Sequence, residues 1–416
     1  MRVLCGAIVA ALVLLTLSAA VAAGIDRPNA LDRRVDALSA HALLTEPATM
    51  LVDPARQAAA SRLVHWRLPA WICVQIFEAA ALIYLWGSGG AATLRNYLSR
   101  RIRSDWLMRF TFGAALALVA RIASVIPDFA LYRIDRIMQL SVELTRTWAL
   151  FWVAHTILGM IAAGLIAAIV LAWAGRTHQW YLYTILGILA GCLVFTYVSP
   201  YGRLPGSNAI LPLQGPLAAR IQLLWLRADL PRGPVAVERI RSSPIGGAAV
   251  LGLGASRTIL LSDTFIAGST APEIEYQVAV ELGHLVHHDL FSIALIEGGI
   301  IIVFAALAVV VADRIGFRRD DDPLSRLAIV GALLALLYVA AVPVRNAALR
   351  SYDFATDRYA VALTGDPSDA IRALVRTSDQ RMEEVCPDLS ARLFLYTSPG
   401  VAARVAAINR VPASCP

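Results

Sequence analysis

The segment Val278-Ala279-Val280-Glu281-Leu282-Gly283-His284-Leu285-Val286-His287-His288-Asp289 gathers the side chains best suited to chemistry in this chain. A carboxylate can serve as a general base, and imidazole with carboxylate supplies the N/O donors that a borderline metal prefers. At about 100° per residue on a helix, His284 and His288 lie one turn apart on a shared face, with Glu281 beside them. A plainer use exists for part of the set. An apolar run begins directly after Asp289, so His287 and His288 also suit a membrane interface.

The elements that must position these residues belong to a membrane protein. Of 416 residues, 58% are hydrophobic and 16% charged, against roughly 25% charged in ordinary globular domains. Mean hydropathy is +0.63. That balance excludes a soluble multidomain protein, a disordered chain, a collagen-like chain and a small disulfide scaffold. All 37 basic residues are arginine, and net charge is +7. In a membrane protein such an excess anchors loops at anionic headgroups. No basic stripe with interleaved aromatics is present, so nucleic acid is not an expected partner.

Residues 3–23 form an apolar run that reads as either a cleavable signal peptide or a first membrane anchor. Residues 24–66 read as a polar loop interrupted by Pro28, Pro47 and Pro54. Six further runs are long enough to span about 30 Å of hydrocarbon. They are Leu68–Trp86, Phe110–Ile126, Trp148–Ala174, Trp180–Val198, Leu290–Ala312 and Leu327–Val344, with tryptophans clustered near their ends. Membrane helices thus occupy 67–198 and a membrane hairpin 290–344. Two polar pieces, 199–289 and 345–416, flank that hairpin and are placed to meet at its base. In the first piece, Leu217, Ile221 and Leu224 mark an amphipathic helix. Val235–Ile240, Ala248–Leu253 and Thr258–Leu261 read as strands. A helix from about Pro272 to Asp289 is expected to run straight into the next span.

The 278–289 segment looks like a metallopeptidase helix of the H-E-x-x-H type whose first histidine is replaced by Val280. About seventy residues later comes Arg350-Ser351-Tyr352-Asp353-Phe354-Ala355-Thr356-Asp357-Arg358-Tyr359-Ala360, then Leu363-Thr364-Gly365-Asp366-Pro367. These two segments, separated by a membrane hairpin, resemble the CAAX prenyl protease and HtpX-like family of membrane zinc endopeptidases. The strands before the helix, and the closing Tyr396-Thr397-Ser398-Pro399 with Arg404, fit the same order. The resemblance covers residues 200–416 well and the earlier spans in layout. It implies a mainly α, polytopic membrane protein of about seven helices. A gluzincin-like α+β metallopeptidase module would be split around the last membrane hairpin.

The departures fall where catalysis would sit. Val280 stands in the first ligand position and cannot ligate. Asp353 stands where the third-ligand glutamate belongs, one methylene shorter. Ser398 replaces a histidine, and Gly247 replaces an asparagine on the strand lining the substrate groove. Glu281 as general base, His284 as ligand and Asp357 as the partner orienting a ligand are what the resemblance retains. A rearranged zinc site of Glu281, His284, His288 and Asp353 would have four N/O ligands but would consume the general base. Arg404 reads as a carboxylate partner. The expected function is zinc-dependent hydrolysis of membrane-associated polypeptides on one zinc ion. Its rival is an inactive pseudopeptidase that binds or regulates a membrane partner.

Glu78, His155 and Glu297 fall inside apolar runs, with Arg121 near the end of one. Such residues face a protein interior or a hydrated cavity. Glu78 is the best cavity residue, and Arg121 is placed to snorkel. A transporter could use them, but no pair of broken helices supports that reading. In loop 93–109, Arg95, Arg100, Arg101, Arg103 and Arg109 oppose a single Asp105. The positive-inside rule then puts the peptidase-like pieces outside a bacterial cytoplasmic membrane. A Cys386–Cys415 disulfide agrees with that side; the resemblance implies the opposite one.

Overall fold

The computed structural model describes residues 34–201, 209–240, 242–316, 322–411 and 415. It opens with two short helices, α1 (Arg34–Ala37) and α2 (Ala40–Thr45), and a 3-10 turn at Ala48–Met50. The Asp53 carboxylate accepts from the Ala55 N–H at 3.0 Å and caps α3 (Pro54–Gly87). Pro54 stands in the first turn, where an amide donor has no helical partner to lose. The helix thus starts well before the apolar run that predicted it. Residues 34–66 are not an open polar connection: Val35, Leu43, Ala48, Leu51 and Val52 are buried among residues of the C-terminal region.

The chain continues through α4 (Gly90–Ser99), α5 (Asp105–Ala123), α6 (Val125–Ile137), α7 (Thr145–Ala174) and α8 (Trp180–Val198). The interval 110–126 is not one helix, because the chain is interrupted at Ser124 between α5 and α6. A small sheet follows, from β1 (Ile210–Pro212), then α9 (Pro216–Arg227), β2 (Val235–Glu238), β3 (Ala248–Leu251) and β4 (Thr258–Ser262). Its order is β1-β2-β4-β3, with β2 and β4 parallel and β3 an antiparallel edge strand. After α10 (Asp263–Gly268) come α11 (Ala271–Val286), α12 (Asp289–Gly316), α13 (Pro323–Thr364), α14 (Pro367–Arg381), α15 (Leu389–Phe394) and α16 (Val401–Asn409). Six of the described helices, α3, α5, α7, α8, α12 and α13, are long and apolar enough to cross a membrane. The apolar run 3–23 lies outside the described residues.

Helix α11 does not run into α12, contrary to the sequence expectation. It ends at Val286, and His288 adopts a left-handed backbone with φ of 57°. The turn lets the buried Asp289 carboxylate reach back to His284. Helix α13 instead runs unbroken for 42 residues, from the membrane hairpin into the peptidase-like region.

Two apolar clusters hold α11 from opposite sides. Ile274, Val278 and Leu282 pack with Ile221, Leu224 and Trp225 of α9 and with Ile259 and Leu261 of β4. Tyr276, Ala279 and Val280 pack with residues of α13, α14 and α16 and with the 35–52 segment. Gly283 lets α11 cross close to α13, since a Cβ there would lie 3.2 Å from the Thr356 backbone. Ion pairs fasten the N-terminal segment to α14. The Arg56 Nε donates to Asp379 at 2.8 Å, and Arg376 bridges Glu273 and Asp36.

The polar residues inside the membrane helices are engaged by protein groups. Arg121 does not snorkel alone; it pairs with Asp128 at 3.0 Å and Glu78 at 3.4 Å and lies over the Trp152 ring. Arg345 pairs with Glu297. His155 is exposed on its helix, and its ring bonds to the Phe151 carbonyl at 2.7 Å.

Candidate functional site

A cavity of about 150 Å³ opens where α11, α13, β3, the end of α14 and the 398–404 segment converge. Glu281, His284, Asp353, Ser398 and Arg404 all line it, with Gln277, Val280, Arg381 and Glu383. The structure therefore brings together five residues singled out from positions as far apart as 281 and 404. His288 and Asp357 are not among the lining residues. His288 sits exposed on the left-handed turn that closes α11, so the shared helical face expected for His284 and His288 does not exist.

Each lining carboxylate and imidazole has a defined setting. Glu281 is 8% exposed. Its Oε2 accepts from the Val250 N–H of the edge strand at 2.8 Å, and Gln277 donates to its other oxygen at 3.4 Å. Burial holds the Glu281 carboxyl above its usual range despite the opposing effects of His284 and these donors. His284 shares a hydrogen bond of 2.8 Å with Asp289 through Nδ1, which leaves Nε2 as its other ring nitrogen. Burial acts to lower the imidazole value, but the Asp289 hydrogen bond and the charges of Glu281, Asp289 and Asp353 together raise it. The Oδ2 of Asp353 is buried and has no hydrogen-bond partner.

The first ligand position carries no donor. Val280 is 4% exposed and packs into the helical core. One turn earlier, Tyr276 is fully buried, and its hydroxyl donates to Asp357 Oδ1 at 2.8 Å. Arg404 completes the triangle, with Nε 2.8 Å from Asp357 Oδ2 and Nη2 2.6 Å from Oδ1. Asp357, expected to orient a ligating histidine, accepts here from a tyrosine and an arginine. Burial and the neighbouring Asp357 drive the Tyr276 hydroxyl well above its ordinary range, so it stays a neutral donor.

Zinc is the ion that an H-E-x-x-H-like helix implies, and the donor set does not fit it. A zinc site needs three or four convergent N, O or S ligands. Among the described residues, no three histidine, cysteine, aspartate or glutamate side chains form a group that would hold a metal ion.

Arg381 stands at the groove's edge, beside β3. A Cβ on Gly247 would lie 2.7 Å from Arg381 Nη2, so the guanidinium occupies the space beside that position. Arg381 also approaches Glu383 at 3.9 Å. Sequence reasoning missed Tyr276, Gln277, Arg381 and Glu383. Tyr276 had a signal, since it lies one helical turn before Val280. Arg381 had none, because only the fold brings it to β3.

Residues 213–411 match Peptidase family M48. The chain is 23% identical over 339 residues to the uncharacterized metalloprotease YhfN of Bacillus subtilis, covering 76% of this chain and 77% of that protein. It is 29% identical over 164 residues to the Protease HtpX homolog 1 of Streptomyces coelicolor, covering 38% of this chain and 52% of that protein. The crystal structure of Ste24p from S. mikatae superposes with a TM-score of 0.69, at 17% identity, over 95% of this chain and 98% of that one. At that identity the likeness speaks for the fold.

Proposed function

Because residues 213–411 match Peptidase family M48 within an integral membrane protein, we propose that this chain is a pseudopeptidase, a membrane protein that binds extended polypeptide segments without cleaving them. The observation that carries the reading is Val280, packed in the core where a first ligand would stand, with Tyr276 and Arg404 holding Asp357. A valine side chain has no lone pair to offer, and the neighbouring acid is already satisfied. Glu281 still lines the cavity, with its two oxygens accepting from Val250 and Gln277.

The groove for a polypeptide remains. Strand β3 is at the sheet's edge, and Ala248 lines the cavity. Edge strands capture extended segments through their free backbone groups. Val250 turns its N–H to Glu281, away from β4, and Ala248, two residues back, points its backbone groups the same way. The disulfide joining Cys386 and Cys415 and the arginine-rich opposite end of the helices support an extracytoplasmic placement of this module.

The test uses purified full-length protein, fluorescein-labelled casein and added zinc. The reading predicts saturable binding with no cleavage, and loss of binding in Ala248→Pro, which removes an edge donor and leaves the β3–β4 ladder intact. Cleavage that depends on Glu281 would contradict it.

A further inference from the structure

At the far end of the membrane helices lies a surface that the peptidase-like module does not use. Helix α3 has 34 residues and is about 50 Å long, more than the roughly 30 Å hydrocarbon core. Its first turns lie against the module, where Arg56 meets Asp379. Its last turn leads through Gly89, in a left-handed conformation, into α4. Helix α4 buries Ala91 and Leu98, which cluster with residues of α3, α5 and α13, and turns its other side outward. The Arg95–Asp322 pair at 3.3 Å ties it to the start of α13.

We propose that α4, residues 100–104 and the first turn of α5 form a binding surface for anionic phospholipid headgroups in the leaflet opposite the module. Arg100, Arg101 and Arg103 are all exposed, and among the described residues no acid pairs with them. Asp105 is the one acid between residues 93 and 109. Guanidinium groups match phosphate oxygens in a planar, bidentate fork. Two aromatics flank the arginines: Tyr97 is 51% exposed with the Arg101 guanidinium 4.6 Å over its ring, and Trp106 is 47% exposed and stacked on Phe110. Half-exposed tyrosine and tryptophan belong at headgroup level. Exposed positive charge held at that depth is complementary to a leaflet bearing negative phosphodiesters.

The protein would be reconstituted in nanodiscs of phosphatidylcholine alone and of phosphatidylcholine mixed equally with phosphatidylglycerol. Bound lipid is then counted by native mass spectrometry, and the melting temperature is recorded. Wild-type protein should retain phosphatidylglycerol preferentially and melt higher in the mixed discs. Replacing Arg100, Arg101 and Arg103 together by glutamine should cut that preference about tenfold or more, while lysine at all three should keep most of it. Single Arg101→Gln protein, with a salt titration, gives the same reading at smaller amplitude if the triple variant does not fold. Equal retention of the two lipids, or an unchanged preference in the glutamine variants, would overturn the proposal. So would an equal thermal shift from free glycerol phosphate in phosphatidylcholine discs, which would make this a soluble-phosphate site.

Discussion

The Tyr276 hydroxyl donates to Asp357 at 2.8 Å, one helical turn before the valine that stands at the first ligand position. The same carboxylate takes two hydrogen bonds from Arg404. Three residues on three helices thus close a buried polar triangle at the base of the cavity. What would serve to steady a metal ligand here serves to hold α11, α13 and α16 together.

If the triangle is structural, its members should weigh unequally on stability. Tyr276→Phe leaves Asp357 with both Arg404 hydrogen bonds and should cost about 1 kcal/mol. Arg404→Leu strands a carboxylate that is 1% exposed, and should cost about 3–5 kcal/mol. Unfolding of the detergent-solubilised protein would rank the two variants. Equal effects would mean that the triangle does not act as drawn.

Restoring a histidine at position 280 should not restore a metal centre. Val280 is buried between the core and the cavity wall, and the larger, polar ring should cost about 1–3 kcal/mol where it displaces core packing. Asp357 would still be occupied by Tyr276 and Arg404. Metal content of the Val280→His protein should therefore stay far below one ion per chain, as measured by elemental analysis.

His284 offers a pH signature. Its folded-state value is raised, after burial is outweighed by the Asp289 bond and the surrounding carboxylates. Its contribution to stability is then fully present below the free value of 6.5 and is lost as pH rises through the higher folded value. Asp289→Asn should lower the ring's titration midpoint, followed by histidine NMR, and remove that part of the pH dependence. A midpoint unmoved by the substitution would show that Asp289 does not hold the ring.

The Cys386–Cys415 disulfide closes a loop spanning 29 positions that carries Ser398, Pro399, Val401 and Arg404 of the cavity wall. Loop-closure entropy of that size corresponds to about 3–4 kcal/mol. Reduction should lower the melting temperature, and Cys386→Ser protein should melt low with or without reductant. A melting temperature insensitive to reductant in the wild type would contradict this.

Much of this arrangement was legible in the sequence, for reasons that differ by element. The spans were visible because long apolar runs admit few other uses, and Glu281 and His284 were visible because their spacing is that of a helix face. Asp353 and Arg404 were reached through motif order, and the fold brings both to the same cavity. Residues 35–52 were misread because their apolar side chains are scattered among polar ones, and only the surface of α14 gives them a common direction. The left-handed turn at His288 was hidden for a related reason. Nothing in His287-His288-Asp289 announces a break, and it is the buried Asp289–His284 contact that the turn makes possible. Arg381 beside Gly247 was beyond reach, since it depends on a tertiary approach between residues more than a hundred positions apart.

The central claim is that the chain keeps the peptidase framework without its metal, and zinc stoichiometry tests it most directly. Full-length protein, purified in detergent and freed of loosely held metal, would be compared with His284→Ala protein. The account predicts no stoichiometric zinc in either. Near one zinc per wild-type chain, lost in the variant, would contradict it and show that other residues have rebuilt the site.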